Sequence, residues 1–264
     1  MLKRGVFVVI CGGILLLASP AGADVMDGND VYTYDSNAPG ADPHGPFICG
    51  DPDPNTFFLP KFDDTVLVFA FGEWRPKELT VITVNVTATA YDGYQVMDNE
   101  DDSETNALSL DIGAKLRVRS QTPAAPLVVI AFPHDSNSGI VAADNEADSN
   151  AGPDYRGTDY IGAFVDGKSD ANHATIDVAD QSDKKKPWVG AGEYVTWNFD
   201  ANAHMFHDFH PSLIPHSLVQ SPTCHFTADV IYQWVVSPEP MTVGLLGVGG
   251  AALLARRRRR RRRS

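Results

Sequence analysis

Strict alternation of apolar and polar residues confines the best-defined segments of this chain to paired, two-faced strands. Ile82, Val84, Val86, Ala88 and Ala90 alternate with Thr83, Asn85, Thr87 and Thr89. Leu108, Leu110, Ile112, Ala114, Leu116 and Val118 likewise alternate with Ser109, Asp111, Lys115, Arg117 and Arg119. A period of two sends one row of side chains to a core and the other to water, whereas the same pattern wound as a helix would scatter both rows around its circumference. Val66 to Phe71, Leu127 to Phe132, Tyr160 to Val165, Tyr194 to Phe199 and Phe226 to Val236 are further strand candidates, the last with Phe226, Ala228, Val230, Tyr232 and Trp234 on one face. Seven strands without a convincing amphipathic helix predict an all-β fold, a single antiparallel β-sandwich of jelly-roll-like or Ig-like kind. Residues 24–236 are enough for one substantial core and are read as one domain.

Asp98 to Glu104, Pro133 to Asp159 and Asp166 to Lys186 are rich in Asp, Asn, Ser and Gly, which predicts long acidic loops. Charge constrains the partners of the same region. Setting aside Lys3, Arg4 and the eight terminal arginines leaves 11 basic residues, and setting aside Glu239 leaves 33 acidic ones, so residues 24–237 carry about −22. The net −13 of the whole chain hides this. Such a surface repels nucleic acid and anionic lipid and attracts cations, so no nucleic-acid partner is expected.

The two ends read as addresses. Lys3 and Arg4, the apolar run Gly5 to Leu17 and the small residues Ala21-Gly22-Ala23 form a signal peptide over 1–23, a signal helix with cleavage before Asp24. Cys11 leaves with it. At the other end Met241 to Ala255 is free of charge and is followed by Arg256 to Arg263. As a transmembrane helix its 15 residues span roughly 23 Å, against a hydrocarbon core of about 30 Å, and arginine stems can snorkel to cover the difference. The positive-inside rule then keeps Ser264 in the cytoplasm and everything before Pro238 outside. A nucleic-acid-binding basic tail leaves the apolar run unexplained.

Ser237-Pro238-Glu239-Pro240, the Gly- and Leu-rich span Val243 to Leu254 and the terminal arginines together resemble a PEP-CTERM tail, the bacterial sorting signal handled by exosortase. The resemblance covers residues 237–264. It implies export through the inner membrane, transient retention there by the C-terminal helix, and processing near Pro238, Glu239 and Pro240 during delivery to the cell surface or an exopolysaccharide matrix. Within the domain, Phe57-Phe58-Leu59-Pro60-Lys61-Phe62-Asp63 with the strand to Ala90 resembles the opening of a choice-of-anchor E domain. Tyr160-Ile161-Gly162-Ala163-Phe164, Gly190 to Val195 and Ala228 to Trp234 fit its later strands, so the likeness spans 57–236. It implies a bacterial surface β domain without established catalysis, and the acidic loops and histidine cluster depart from its pattern.

Three features could carry chemistry. Cys49 and Cys224 flank a 176-residue segment, and in an oxidising compartment they are expected to form a disulfide. By the chain-entropy argument that bridge contributes at most about 5 kcal/mol. Two free buried thiols are the alternative. His204, His207 and His210 are spaced for a zinc or copper site if they lie on a helical turn, whereas a strand would send His204 and His207 to opposite faces. Their position after a predicted strand and before Pro211 points to a loop. Asp51 to Asn55 and Asp144 to Asn150 carry alternating oxygen donors suited to calcium, but neither has the glycine and glutamate of an EF-hand.

No G-x-S-x-G, H-E-x-x-H, C-x-x-C or phosphate-cradling loop occurs. A carboxylate pair such as Asp63 and Asp64 would serve glycoside hydrolysis only if folding set carboxylates across a cleft. The expectation is therefore a noncatalytic surface or matrix protein associated with exopolysaccharide and without a resident cofactor. One alternative is a glycan-binding module using Trp74, Trp188 or Tyr155 as stacking surfaces. The other is a metal-dependent extracellular hydrolase centred on the three histidines.

Overall fold

The computed structural model describes residues 10–11, 14–15, 26–39, 41, 45–50, 55–99, 106–143, 155, 157–209 and 215–236. The chain runs through β1 (Ile10–Cys11), β2 (Ile14–Leu15), β3 (Met26–Asp35), β4 (Phe47–Ile48), β5 (Asn55–Pro60), β6 (Leu67–Ala70), β7 (Glu73–Pro76) and β8 (Glu78–Tyr91). It continues as β9 (Gly93–Asn99), β10 (Asn106–Ser120), β11 (Val128–Ala131), β12 (His134–Val141), β13 (Tyr160–Val165) and β14 (Lys168–Asp177). A single helical turn, α1 (Ser182–Lys185), and a 3-10 turn at Lys186–Trp188 precede β15 (Tyr194–Phe209), β16 (Pro215–Gln220) and β17 (Thr223–Val236). The fold is all-β, and the strand ladders are antiparallel.

Two layers share one core. In the first, β10 is flanked by β15 on one side and by β11 and β12, end to end, on the other, with β5 beyond β15. The second has the order β14-β8-β17-β3, with β4 beside the start of β17. The alternating rows of β8, β10 and β17 are buried as their sequences demand, from Ile82 to Ala90, Leu108 to Val118 and Cys224 to Val236. Aromatic rings join the layers: Phe199 of β15 meets Phe226 of β17 at 4.7 Å, and Phe57 of β5 stacks on Tyr34 of β3 at 4.2 Å.

The second layer is bent along one line. Three strand pairs, β8 with β9, β14 with β13 and β17 with β16, are interrupted at Asp92, at Asp166-Gly167 and at Ser221-Pro222. The small sheet β13-β9-β16 thus continues the large one, with Val165 opposite Gly93 and Gln220 opposite Tyr94. Asp92 and Gly167 take the left-handed conformation, with φ of 58° and 68°. Gly93 is required at the bend because a Cβ there would stand 2.5 Å from Val165 Cγ1 and 2.7 Å from Pro222 Cβ.

Several expectations are corrected. The segment His204 to Phe209, read as a loop, is strand, because β15 follows β10 up to the pair Leu108 and Phe209. Backbone pairing carries it past the point where its own side chains are buried. The expected loops 133–159 and 166–186 contain β12 and β14. Asp98 and Asn99, placed in an acidic loop, belong to β9 and are buried. Of the leader, only residues 10–11 and 14–15 are described, paired as β1 with β2, and the rest of the expected signal helix lies outside the described residues. Ala21, Ala23 and Asp24, Pro238, Glu239 and Pro240, and the expected transmembrane helix lie outside the described residues. Among the described residues no helix is long and apolar enough to cross a membrane.

Candidate functional site

The structure brings Cys49 and Cys224 together. Cys224 lies opposite Phe47 in the ladder of β4 with β17, and the Cys49 N–H donates to Pro222 O at 3.1 Å. Both side chains are buried, present as thiols and hydrogen-bonded to each other. That shared bond, with burial added, pushes the Cys224 thiol far above the ordinary cysteine value, while the same bond draws Cys49 down.

The histidines separate. His204 lies opposite Gly113 and His207 opposite the buried Leu110, so the two side chains project from opposite faces of β15. His207 Nδ1 stands 3.4 Å from Gln95 Nε2 across the layers. His210 lies outside the described residues, and among the described residues no three His, Cys, Asp or Glu side chains are arranged to hold a metal ion. The helical turn that a zinc trio needs is replaced by a strand.

His204 instead joins a cluster that sequence reasoning missed. Gly113 sits in the middle of β10, flanked by His134 of β12 and His204 of β15. A Cβ at Gly113 would meet His134 Cβ at 2.6 Å and Phe132 Cε2 at 2.9 Å, so the bare backbone makes room for these side chains. The Phe132 ring stacks on His134 at 4.6 Å and meets His204 edge-on at 4.9 Å. One row along, Asp111 Oδ1 is 3.0 Å from His134 Nδ1, and Oδ2 is 3.8 Å from His204 Nε2. The signal for this cluster was Gly113, since glycine inside a strand marks a close approach.

Asp63, one of the paired carboxylates, is tied into a turn. Asp63 Oδ1 accepts from the Thr65 N–H at 2.9 Å and from Thr65 Oγ1 at 2.6 Å. Those bonds hold its carboxyl below the usual range, the opposite of what a general acid needs. Asp98 Oδ2 accepts from the Tyr155 N–H at 3.0 Å, tying Tyr155 down in a left-handed conformation. Of the two calcium candidates, only Asn55 falls among the described residues.

The three stacking candidates differ sharply. Trp188 is fully buried against Trp197, which removes it as a glycan platform, and Tyr155 is half-buried. Trp74 is 66% exposed. It stands on the β6–β7 hairpin opposite Phe69, ring to ring at 5.6 Å, and Leu67 lies opposite Pro76 on the same face. The other face turns Val68 and Ala70 onto the core, beside the buried Arg75. This hairpin therefore wears its apolar face outward, the reverse of the sheets above it.

No family model, curated protein or solved structure matches the chain.

Proposed function

We propose that this chain is an exported, noncatalytic bacterial surface or matrix protein whose β-sandwich is delivered by a PEP-CTERM-like tail and retained in extracellular polysaccharide. The observation that carries the reading is the ordered C-terminal signal: Pro238-Glu239-Pro240, then the uncharged run Met241 to Ala255, then Arg256 to Arg263. The arginine block resists translocation, so the run stays in the inner membrane until an exosortase-type enzyme processes it near the tripeptide. A choice-of-anchor E-like domain over 57–236 fits that destination. So do a charge of about −22 outside the leader and tail, and carboxylates such as Asp63 and Asp98 engaged in turns and strand ends. The test is fractionation of cells producing the whole chain or a chain ending at Val236. The whole chain is expected in the inner membrane and then at the surface, and the truncated one free in the periplasm or medium. Identical distributions would defeat the reading.

A further inference from the structure

The β6–β7 hairpin lies where the chain leaves the domain. β8 begins at Glu78, opposite Val235 of β17, and β17 ends one residue later at Val236. Lys77, at the foot of the hairpin, sets its Nζ 4.8 Å from the Trp234 ring and bonds Asp30 at 2.8 Å. Only residues 237–240 separate Val236 from the uncharged run at Met241. Fully extended, four residues reach about 14 Å, close to the roughly 13 Å length of a four-residue strand. With 241–255 in a bilayer, this end of the domain is held within one hairpin length of the membrane surface.

The hairpin is built for an apolar neighbour. Leu67, Phe69, Phe71 and Trp74 are 50%, 58%, 45% and 66% exposed. Leu67, Phe69, Trp74 and Pro76 share the outward face of this ladder, an exposed apolar surface of the kind that marks a contact site, and Phe71 stands at the turn beyond it. Phe71 occupies the first position of the two-residue turn Phe71-Gly72 with φ of 56°, where Asn or Gly fits without strain. Arg75, paired with Glu73, lies 6.0 Å from the Phe71 ring. Aromatic rings partition to the headgroup boundary.

We propose that the β6–β7 hairpin is a bilayer-docking element, inserting Phe69, Phe71 and Trp74 into the interface of the membrane that retains the tail. This rests on the reading of residues 241–255 as a membrane segment. The acidic domain selects zwitterionic over anionic lipid, because a charge of about −22 is repelled by the latter. Docking of this end holds the 237–240 stretch along the membrane surface, where a membrane-embedded processing enzyme can reach it.

Trp74 reports the contact directly, since Trp188 and Trp197 are fully buried and Trp234 nearly so. The whole chain is reconstituted in phosphatidylcholine vesicles carrying bromine on the acyl carbons nearest the glycerol, and flotation and tryptophan emission are read together. Flotation with quenching that disappears in Trp74→Phe is expected, with weaker quenching but equal flotation for Phe71→Ser. Flotation without quenching, Trp74 staying open to aqueous acrylamide, overturns the docking and leaves the tail reading standing. Failure to float overturns the tail reading and removes the bilayer as the hairpin's occupant. Retention of Trp74-dependent binding on a neutral polysaccharide in place of lipid quenching assigns the platform to a glycan and also overturns the proposal.

Discussion

The ladder between β8 and β17 and the seam between β11 and β14 close the same core by different chemistry. In the ladder, Ile82, Val84 and Val86 of one strand and Ala228, Val230 and Tyr232 of the other are excluded from water. In the seam, β14 has no such row. There Asp170 Oδ2 accepts from the Phe132 N–H at 2.7 Å, and Asn172 Nδ2 donates to Ile130 O at 3.0 Å. Side chains of β14 thus satisfy the free backbone edge of β11, and polar residues do at the margin what apolar ones do in the middle. The lesson is that a sheet edge inside a two-layered fold is closed by satisfying its backbone groups.

The largest effect expected from breaking the comparison lies in the centre. Phe199, which touches Phe47, Phe57 and Phe226, leaves a cavity on replacement by alanine. Phe199→Ala is expected to cost about 3–5 kcal/mol in urea unfolding. Oxidation of the adjacent Cys49 and Cys224 is expected to add about 2–4 kcal/mol and to lower the intact mass by two hydrogens. No mass change after export would leave them as thiols. At the seam, Asp170→Ala strands the Phe132 N–H and is expected to cost about 1–3 kcal/mol, with faster amide exchange confined to β11. Full exchange protection there would refute the seam.

The smallest effect is at Asp63, whose folded pKa is depressed by Thr65. A depressed carboxylate stabilises the folded state above its unfolded pKa, near the ordinary 3.8, and the contribution is lost as pH falls through the folded value. Asp63→Asn is therefore expected to flatten the acid limb of the stability profile slightly. It should leave the neutral plateau nearly unchanged, because the side chain is only partly buried and its partner Thr65 is exposed.

The same contrast explains what could be read in the sequence. β8, β10, β13 and β17 were legible because burial on one face writes a period of two into the residues. β14 was not, since its inward positions include Asp170 and Asn172, chosen for hydrogen bonds that periodicity cannot register. β9 was missed because it is buried on both faces and spends Gln95, Asp98 and Asn99 there. The histidines were noticed, but their partners Asp111 and His134 are distant in the chain and meet only through the register of β10 with β12 and β15. Trp188 and Trp74 look alike as letters, and only the packing of the 3-10 turn distinguishes the buried ring from the exposed one.

The central claim is export followed by removal of the tail, and intact mass of the protein recovered from the cell surface tests it most directly. The account predicts a chain beginning at Asp24, ending near Pro238 to Pro240 and lacking Arg256 to Arg263. Recovery of the unprocessed chain in the cytoplasm, leader and arginines included, would contradict it.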